Sequence, residues 1–367
     1  MKIIVTGANG FIGKNLCAFL KENKENSIIE IDRETPIDKI SQYLSEADFV
    51  YHLAGINRPL NDSEFCQGNT NFTHFICDEL SKRNIPIPIM FSSSIQAEQN
   101  NPYGLSKAAA EDIIINYSKK SKSPYYIYRF TNVFGKWCKP NYNSFVATFC
   151  YNIINDIDIN ISNPNASVNL IYIDDVCHQL VSLLKKNSVN GYHTITPVYS
   201  TTVGEVANLL TLFRNSRTNL IIDNVGNGFI RALYSTFISY YSPHQFSYRI
   251  PSYEDNRGLF CEILKTQKSG QFSFLTAHPG ITRGGHYHHS KNEKFLVIQG
   301  KAHFKFKNIV TNESYDLYTN SDVLEIVDTI PGWSHDITNI GDTDLIVVLW
   351  ANEIFDRDNP DTISYPL

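Results

Sequence analysis

At 367 residues the chain is too long for one ordinary hydrophobic core, so two domains are expected. A hydrophobic share of 42% with 19% charged residues excludes a disordered chain. A formal net charge of −5 excludes the basic footprint of a nucleic-acid binder and the polybasic patch of a membrane-surface protein.

In chain order, residues 2–6 read as a buried strand, 11–23 as a helix, 28–31 as a second strand and 48–53 as a third. Residues 72–83 read as a helix, 87–92 as a fourth strand, 103–118 as a helix around the strong helix formers Ala108–Ala110, and 124–130 as a fifth strand. Strands alternating with helices predict a doubly wound, Rossmann-type parallel α/β sheet. After about residue 230 the texture changes. From Phe272 onward come short runs (QFSFLTA, KFLVIQG, KAHFKFK, ESYDLY, DVLEIV, HDITN, DLIVVLW) broken by Gly, Asn and Asp, the pattern of an all-β sandwich or barrel. Ser235–Pro251, with two prolines and many aromatics, reads as the bridge, which gives domains of 1–245 and 246–367.

The seven cysteines are scattered, with no C-x-x-C pair, as expected of reduced thiols in a cytoplasmic protein. No signal-peptide core fits the N-terminus, and no apolar stretch reaches the roughly 20 residues that span a bilayer.

Gly7, Gly10 and Gly13 follow the first strand and open the first helix. Glycines there let the backbone approach a pyrophosphate, which the helix N-terminus attracts. Asp32 ends the second strand, where a carboxylate would take the ribose 2′-hydroxyl. Arg33 beside it could pair with a 2′-phosphate, so NAD and NADP both stay open. Tyr103 and Lys107 project from one helix face, and an ammonium near a phenol favours proton exchange near neutral pH. Ser92-Ser93-Ser94 closes the strand just before and offers a hydroxyl to a substrate carbonyl. Near the other end, His286 and His288 are two apart, so both face one side of a strand. With Glu293 and His335 they form a donor set suited to Zn, Fe or Mn as a divalent ion.

Residues 1 to about 240 resemble the extended short-chain dehydrogenase/reductase family through TGANGFIG (6–13), HLAG (52–55), FSSS (91–94), YGLSK (103–107), RFTNVFG (129–135) and YIDD (172–175). The resemblance implies catalysis by Ser94, Tyr103 and Lys107, with Ser94 chosen among the three serines by alignment of FSSS. It also implies a dinucleotide held by Gly7, Gly10, Phe11, Ile12, Gly13, Asp32, Arg33, Leu53, Ala54, Tyr103 and Lys107, and a substrate near Asn132 and the segment 136–143. Gly280, His286-x-His288, Glu293 and Gly300, then Pro331-Gly332, His335 and Asn339, resemble the two motifs of a cupin barrel. That implies a metal, zinc first, at His286, His288, Glu293 and His335. Asp255-Asn256-Arg257-Gly258 and Arg283-Gly284 also resemble metal-free deoxysugar 3,5-epimerases of cupin fold. There the residue matching His286 is the base, so ligand and base both stay open for it, and Arg257 and Arg283 would contact a nucleotide diphosphate.

The joined halves resemble a family of bifunctional enzymes of capsular polysaccharide precursor synthesis. That resemblance implies a UDP-linked 2-acetamido-2,6-dideoxy-4-hexulose as substrate. The cupin domain would epimerise C3, and the reductase domain would then reduce the C4 ketone with NADP(H), NAD being the alternative. The product would be UDP-2-acetamido-2,6-dideoxy-talose, on the route to N-acetylfucosamine. The rival readings are a plain 4-ketoreductase whose cupin serves dimerisation or sensing, and a non-enzymatic nucleotide sensor. A homodimer is expected because cupins often pair through their sheets.

Overall fold

The structure is a computed structural model that describes every residue except 58, 60, 62, 186, 187 and 223. The chain divides into two compact units, Met1–Leu210 with Ala232–Tyr240, and Thr211–Arg231 with Tyr241–Leu367.

The first unit opens with β1 (Lys2–Thr6), α1 (Phe11–Glu22), β2 (Ser27–Ile31), α2 (Ile37–Ser45) and β3 (Phe49–His52). A short α3 (Ser63–Phe65) runs through a π-helical turn into α4 (Phe72–Ser81), then β4 (Ile89–Ser94), α5 (Pro102–Ser121) and β5 (Tyr125–Phe130). After β6 (Asn132–Phe134), α6 (Phe145–Ile154), β7 (Ser167–Tyr172) and α7 (Ile173–Ser182) come β8 (Gly191–His193) and β9 (Tyr199–Thr202), then α8 (Val203–Asn219) and α9 (Gly228–Ile238), whose residues are divided between the two units. The main sheet has the order β2-β1-β3-β4-β5-β8, and all its pairings are parallel. Alternate strand residues feed two cores. Ile3, Val5, Phe49, Tyr51 and Met90 pack with α1 and α7 through Leu16, Leu20, Val176 and Leu180. Ile4, Val50, Ile89 and Phe91 pack with α4 and α5 through Ile76, Leu80, Ala110 and Ile114. Burial on both faces is why these strands are continuous apolar runs in the sequence.

The second unit carries β10 (Ser252–Asp255), β11 (Gly258–Thr266), β12 (Gly270–Ala277), β13 (Thr282–Tyr287), β14 (Glu293–Gln299) and β15 (Lys301–Asn308). It ends with β16 (Ser314–Asn320), β17 (Ile326–Asp328), β18 (Trp333–Asn339), β19 (Leu345–Ala351) and β20 (Ile363–Ser364). They form two antiparallel sheets, β10-β11-β12-β19-β14-β17 and β16-β15-β18-β13-β20. Leu275, Phe295, Val297, Phe304, Ile337 and Val347 are among the buried side chains of the core they share.

Two sequence expectations need adjusting. The expected bridge begins inside a helix, because α9 runs to Ile238. Residues 211–231 group with the second unit, because Lys265 of β11 exchanges backbone hydrogen bonds with Leu220 and Ile222.

Candidate active sites

In the first unit the chain steps from β1 through α1 to β2, then crosses back to β3 on the other side of β1. The carboxyl ends of β1 and β3 are therefore a topological switch point, where ligands of open α/β sheets bind. Gly7 lies there at φ +70°, and a methyl group on it would sit 2.8 Å from the Ala54 nitrogen. On Gly13 a methyl would come within 2.2 Å of the Gly7 carbonyl oxygen. Glycine is thus required at both by backbone approach. Above the loop lies a cleft of about 1270 Å³ lined by Gly7, Gly10, Phe11, Ile12, Gly13, Asp32, Arg33, Leu53 and Ala54. Ser94, Tyr103, Lys107 and Asn132 line it as well. The Asp32 carboxylate is fixed by Asn9 Nδ2 at 2.7 Å and by the Glu34 N–H and the Thr35 hydroxyl, each at 3.0 Å.

A 3₁₀ turn at Ile95–Glu98 lies between Ser94 and Tyr103. Asn101 then caps α5 by accepting from the Gly104 N–H at 2.8 Å, and Pro102 occupies the first turn. Tyr103 is thereby held in the first turn of α5. Burial raises its phenol above the ordinary tyrosine range, and a hydrogen bond with Ser94 pulls it back. The Ser93 hydroxyl donates to Glu111 and is thus turned away from the cleft group, while the Lys107 Nζ donates to the Ser92 backbone carbonyl at 2.9 Å. Burial pushes Lys107 down from 10.5 to about 8, partly offset by Glu111.

Two polar groups behind the cleft were not read from the sequence. Glu111 lies one helical turn beyond Lys107 and is 2% exposed. It accepts from Arg129 at 2.9 and 2.7 Å and from Tyr192 at 2.9 Å. Burial alone would raise this carboxyl; Arg129, Ser93 and Tyr192 outweigh it and hold the group low. The second group centres on His52, which burial drives to about 3 and so keeps neutral. The Ala54 N–H donates to Thr6 Oγ1 at 3.1 Å, and that hydroxyl lies 2.8 Å from His52 Nδ1. His52 Nε2 lies 2.8 Å from Thr73 Oγ1, which donates to the Asn69 carbonyl at 2.6 Å. Both threonine hydroxyls thus assign the tautomer with the proton on Nε2. Asn69 Nδ2 donates to Ser106 Oγ at 2.9 Å, and Ser106 donates to the Tyr103 carbonyl at 2.7 Å. The chain of bonds runs from the edge of the glycine loop to the turn bearing Tyr103.

In the second unit, His286, His288, Glu293 and His335 come together with their donor atoms all within 4.8 Å of one another. A bulge at Gly285 in β13 brings His286 opposite His335 of β18. Glu293 begins β14 in the other sheet, on the same face as the buried Phe295. Glu293 Oε2 is 3.3 Å from His288 Nε2 and 3.6 Å from His335 Nε2. The latter nitrogen is buried with no hydrogen-bond partner. A tetrahedral ion with bonds of about 2.0–2.1 Å sets its ligands about 3.3–3.4 Å apart, so three imidazoles and one carboxylate at these spacings fit a divalent metal. Burial lowers His286 to about 4, with His335 adding to the effect. Lys291, also buried, pairs with Glu293 Oε1 at 3.1 Å. Arg257 is engaged by Asp255, with contacts of 2.6 to 3.2 Å, and is half exposed. Arg283, half-buried, donates to the Thr276 carbonyl at 2.9 Å. Burial lowers its guanidinium, and the charge of Arg257 adds to this.

No helix among the described residues is long and apolar enough to cross a membrane. Residues 3–195 match the NAD dependent epimerase/dehydratase family, and residues 253–363 match the polysaccharide biosynthesis C-terminal domain. The chain is 51% identical over 365 residues to a UDP-2-acetamido-2,6-beta-L-arabino-hexul-4-ose reductase of Pseudomonas aeruginosa, covering 99% of this chain and 98% of that one. It superposes on the capsular polysaccharide assembling protein CapF from Staphylococcus aureus with a TM-score of 0.93, at 41% identity and full coverage of both chains. A UDP-glucuronic acid 4-epimerase of Bacillus cereus shares the fold over 58% of this chain, with a TM-score of 0.53 at 20% identity and 83% of that chain covered. A parallel sheet with its glycine loop at the switch point, followed by a β-domain with a clustered metal-ligand set, places this chain in the NAD dependent epimerase/dehydratase family as a CapF-like two-domain enzyme.

Proposed function

We propose that the enzyme acts on a UDP-linked 2-acetamido-2,6-dideoxy-4-hexulose in two steps. The second unit epimerises C3, and the first then reduces the C4 ketone to give UDP-2-acetamido-2,6-dideoxy-talose, for N-acetylfucosamine synthesis. The observation that carries the reading is the Ser94–Tyr103–Lys107 group, which lines the dinucleotide cleft. For the reduction, a nicotinamide held in this cleft would supply hydride to C4, and the Tyr103 phenol would give its proton to the C4 oxygen. Ser94 holds the carbonyl oxygen, and Lys107 supplies positive charge at the cofactor and phenol. Arg33 supports NADPH as the donor, by pairing with a 2′-phosphate; Asn132 would contact the sugar.

Epimerisation removes the C3 proton beside the ketone and delivers a proton drawn from solvent to the opposite face. A divalent ion held by this cluster, zinc first, would polarise the substrate oxygen and stabilise enolate charge. His286 takes the proton in the reading where His288, Glu293 and His335 hold the ion alone; otherwise it is the fourth ligand. Arg257 and Arg283 would bind the diphosphate. Epimerisation must come first, because reduction destroys the carbonyl that acidifies C3.

The test omits NADPH and follows solvent deuterium into C3 of the keto sugar, in wild type and His288→Ala. Exchange in the wild type and its loss in the variant are expected. No exchange in the wild type would leave a plain 4-ketoreductase whose second unit serves dimerisation or sensing. Tyr103→Phe should abolish NADPH oxidation by the sugar, and NADPH should outperform NADH.

A further inference from the structure

We propose that Asp361, in the C-terminal tail, is the positioning residue of the metal-ligand cluster. Its backbone carbonyl faces His288 Nδ1. A carbonyl can only accept, so Nδ1 carries the proton there, and in the neutral ring Nε2 presents its lone pair to the cluster. Its side chain grips the loop that follows. Oδ1 accepts from the His289 N–H at 2.8 Å, while Oδ2 accepts from the Ser290 N–H at 2.7 Å, the Lys291 N–H at 2.8 Å and the Ser290 hydroxyl at 3.0 Å. Three successive amides held by one carboxylate fix the segment that joins His288 to Glu293. Hydrogen bonds to an ionised acceptor are stronger than neutral ones.

The same tail then pairs with β13, where Ser364 lies opposite His286 and the Tyr365 N–H donates to the Gly285 carbonyl at 2.8 Å. Five residues of tail therefore reach two of the four ligands directly and the loop leading to a third. Outer partners of this kind typically contribute about 10–100-fold to metal affinity.

The inference rests on the metal reading, so the wild type is measured first for its metal content and for Co²⁺ affinity by chelator competition. Asp361→Ala should then raise the Co²⁺ dissociation constant about 10–100-fold. It should also change the visible absorption of the bound ion and speed amide hydrogen exchange at residues 289–291. Asp361→Asn keeps the shape with one acceptor oxygen and should fall between, which covers the case in which the alanine variant fails to fold. A general loss of stability would lower the melting point equally with and without metal; positioning predicts the larger gap in the loaded protein. Wild-type affinity and spectrum in both variants would overturn the positioning role while leaving the metal reading intact. A wild type that takes up no metal would overturn both.

Discussion

Raising the pH from about 7.5 to about 9.5 is expected to stabilise the cofactor-free protein through Lys107. Burial lowers this ammonium from 10.5 to about 8. Below about 8 the lysine is protonated both folded and unfolded, and the cost of burying its charge is felt in full. Between about 8 and 10.5 the unfolded chain keeps the proton and the folded one sheds it, so stability rises with pH. Above 10.5 the cost is gone. At ~1.4 kcal/mol per unit, passage from about 8 to about 9.5 recovers roughly 2 kcal/mol. Lys107→Met removes the titrating group and should lack this gain. Urea unfolding of both proteins, followed by the helical circular dichroism that reports the helix-rich first unit, measures it. Other titrating groups cancel in the difference between the two proteins. Equal pH slopes for wild type and variant would refute the reasoning. So would a wild type that loses stability relative to the variant over this range.

In Gly13→Ala the new methyl would press on the backbone of Gly7 and Ala8 at 2.2 and 2.7 Å, so the loop must open. Dinucleotide affinity should fall about tenfold or more by calorimetry, a loss of at least ~1.4 kcal/mol; an unchanged dissociation constant would count against the loop geometry. Arg129→Met strips the main partner from the buried Glu111 and should destabilise the first unit by about 2–4 kcal/mol in urea. Adding Glu111→Leu should recover most of that loss, since the orphaned carboxylate is the cause; no recovery would place the cost elsewhere. His335→Ala should bind less than one equivalent of metal. Chelation should lower the melting point of the wild type by the equivalent of about 4 kcal/mol if the free ion stands at about 1,000 times its dissociation constant, and leave the variant unmoved.

The sequence made the first five parallel strands legible, because two-sided burial writes them as runs such as Ile3-Ile4-Val5 and Phe91 with its neighbours. The ligand quartet was legible too, since its residue types are rare together and their spacing suits strands. Strand β13 has no apolar run to mark it, because its two glycines and polar residues mimic a loop, and only the spacing of His286 and His288 pointed to a strand; positive φ at Gly284 and Gly285 shows why glycine is there. Helix α6 was also missed, as its FVATFCYNII is apolar on most sides and has no polar face to reveal a period. The partners behind the sites were hidden by distance along the chain. Glu111 and Arg129 are 18 residues apart, and Asp361 reaches back 70 or more to its loop. Local spacing carries no trace of such contacts.

The bulge at Gly285 also has an evolutionary consequence. Arg283 lies opposite Ile337 and His286 opposite His335, so the extra residue between them puts both on one face despite a spacing of three. Deleting Gly285 would leave Arg283 and His286 two apart opposite Ile337 and His335, and plain alternation would still hold both on that face. The strand could thus lose this residue, or have acquired it, by a single-codon change without redirecting either side chain.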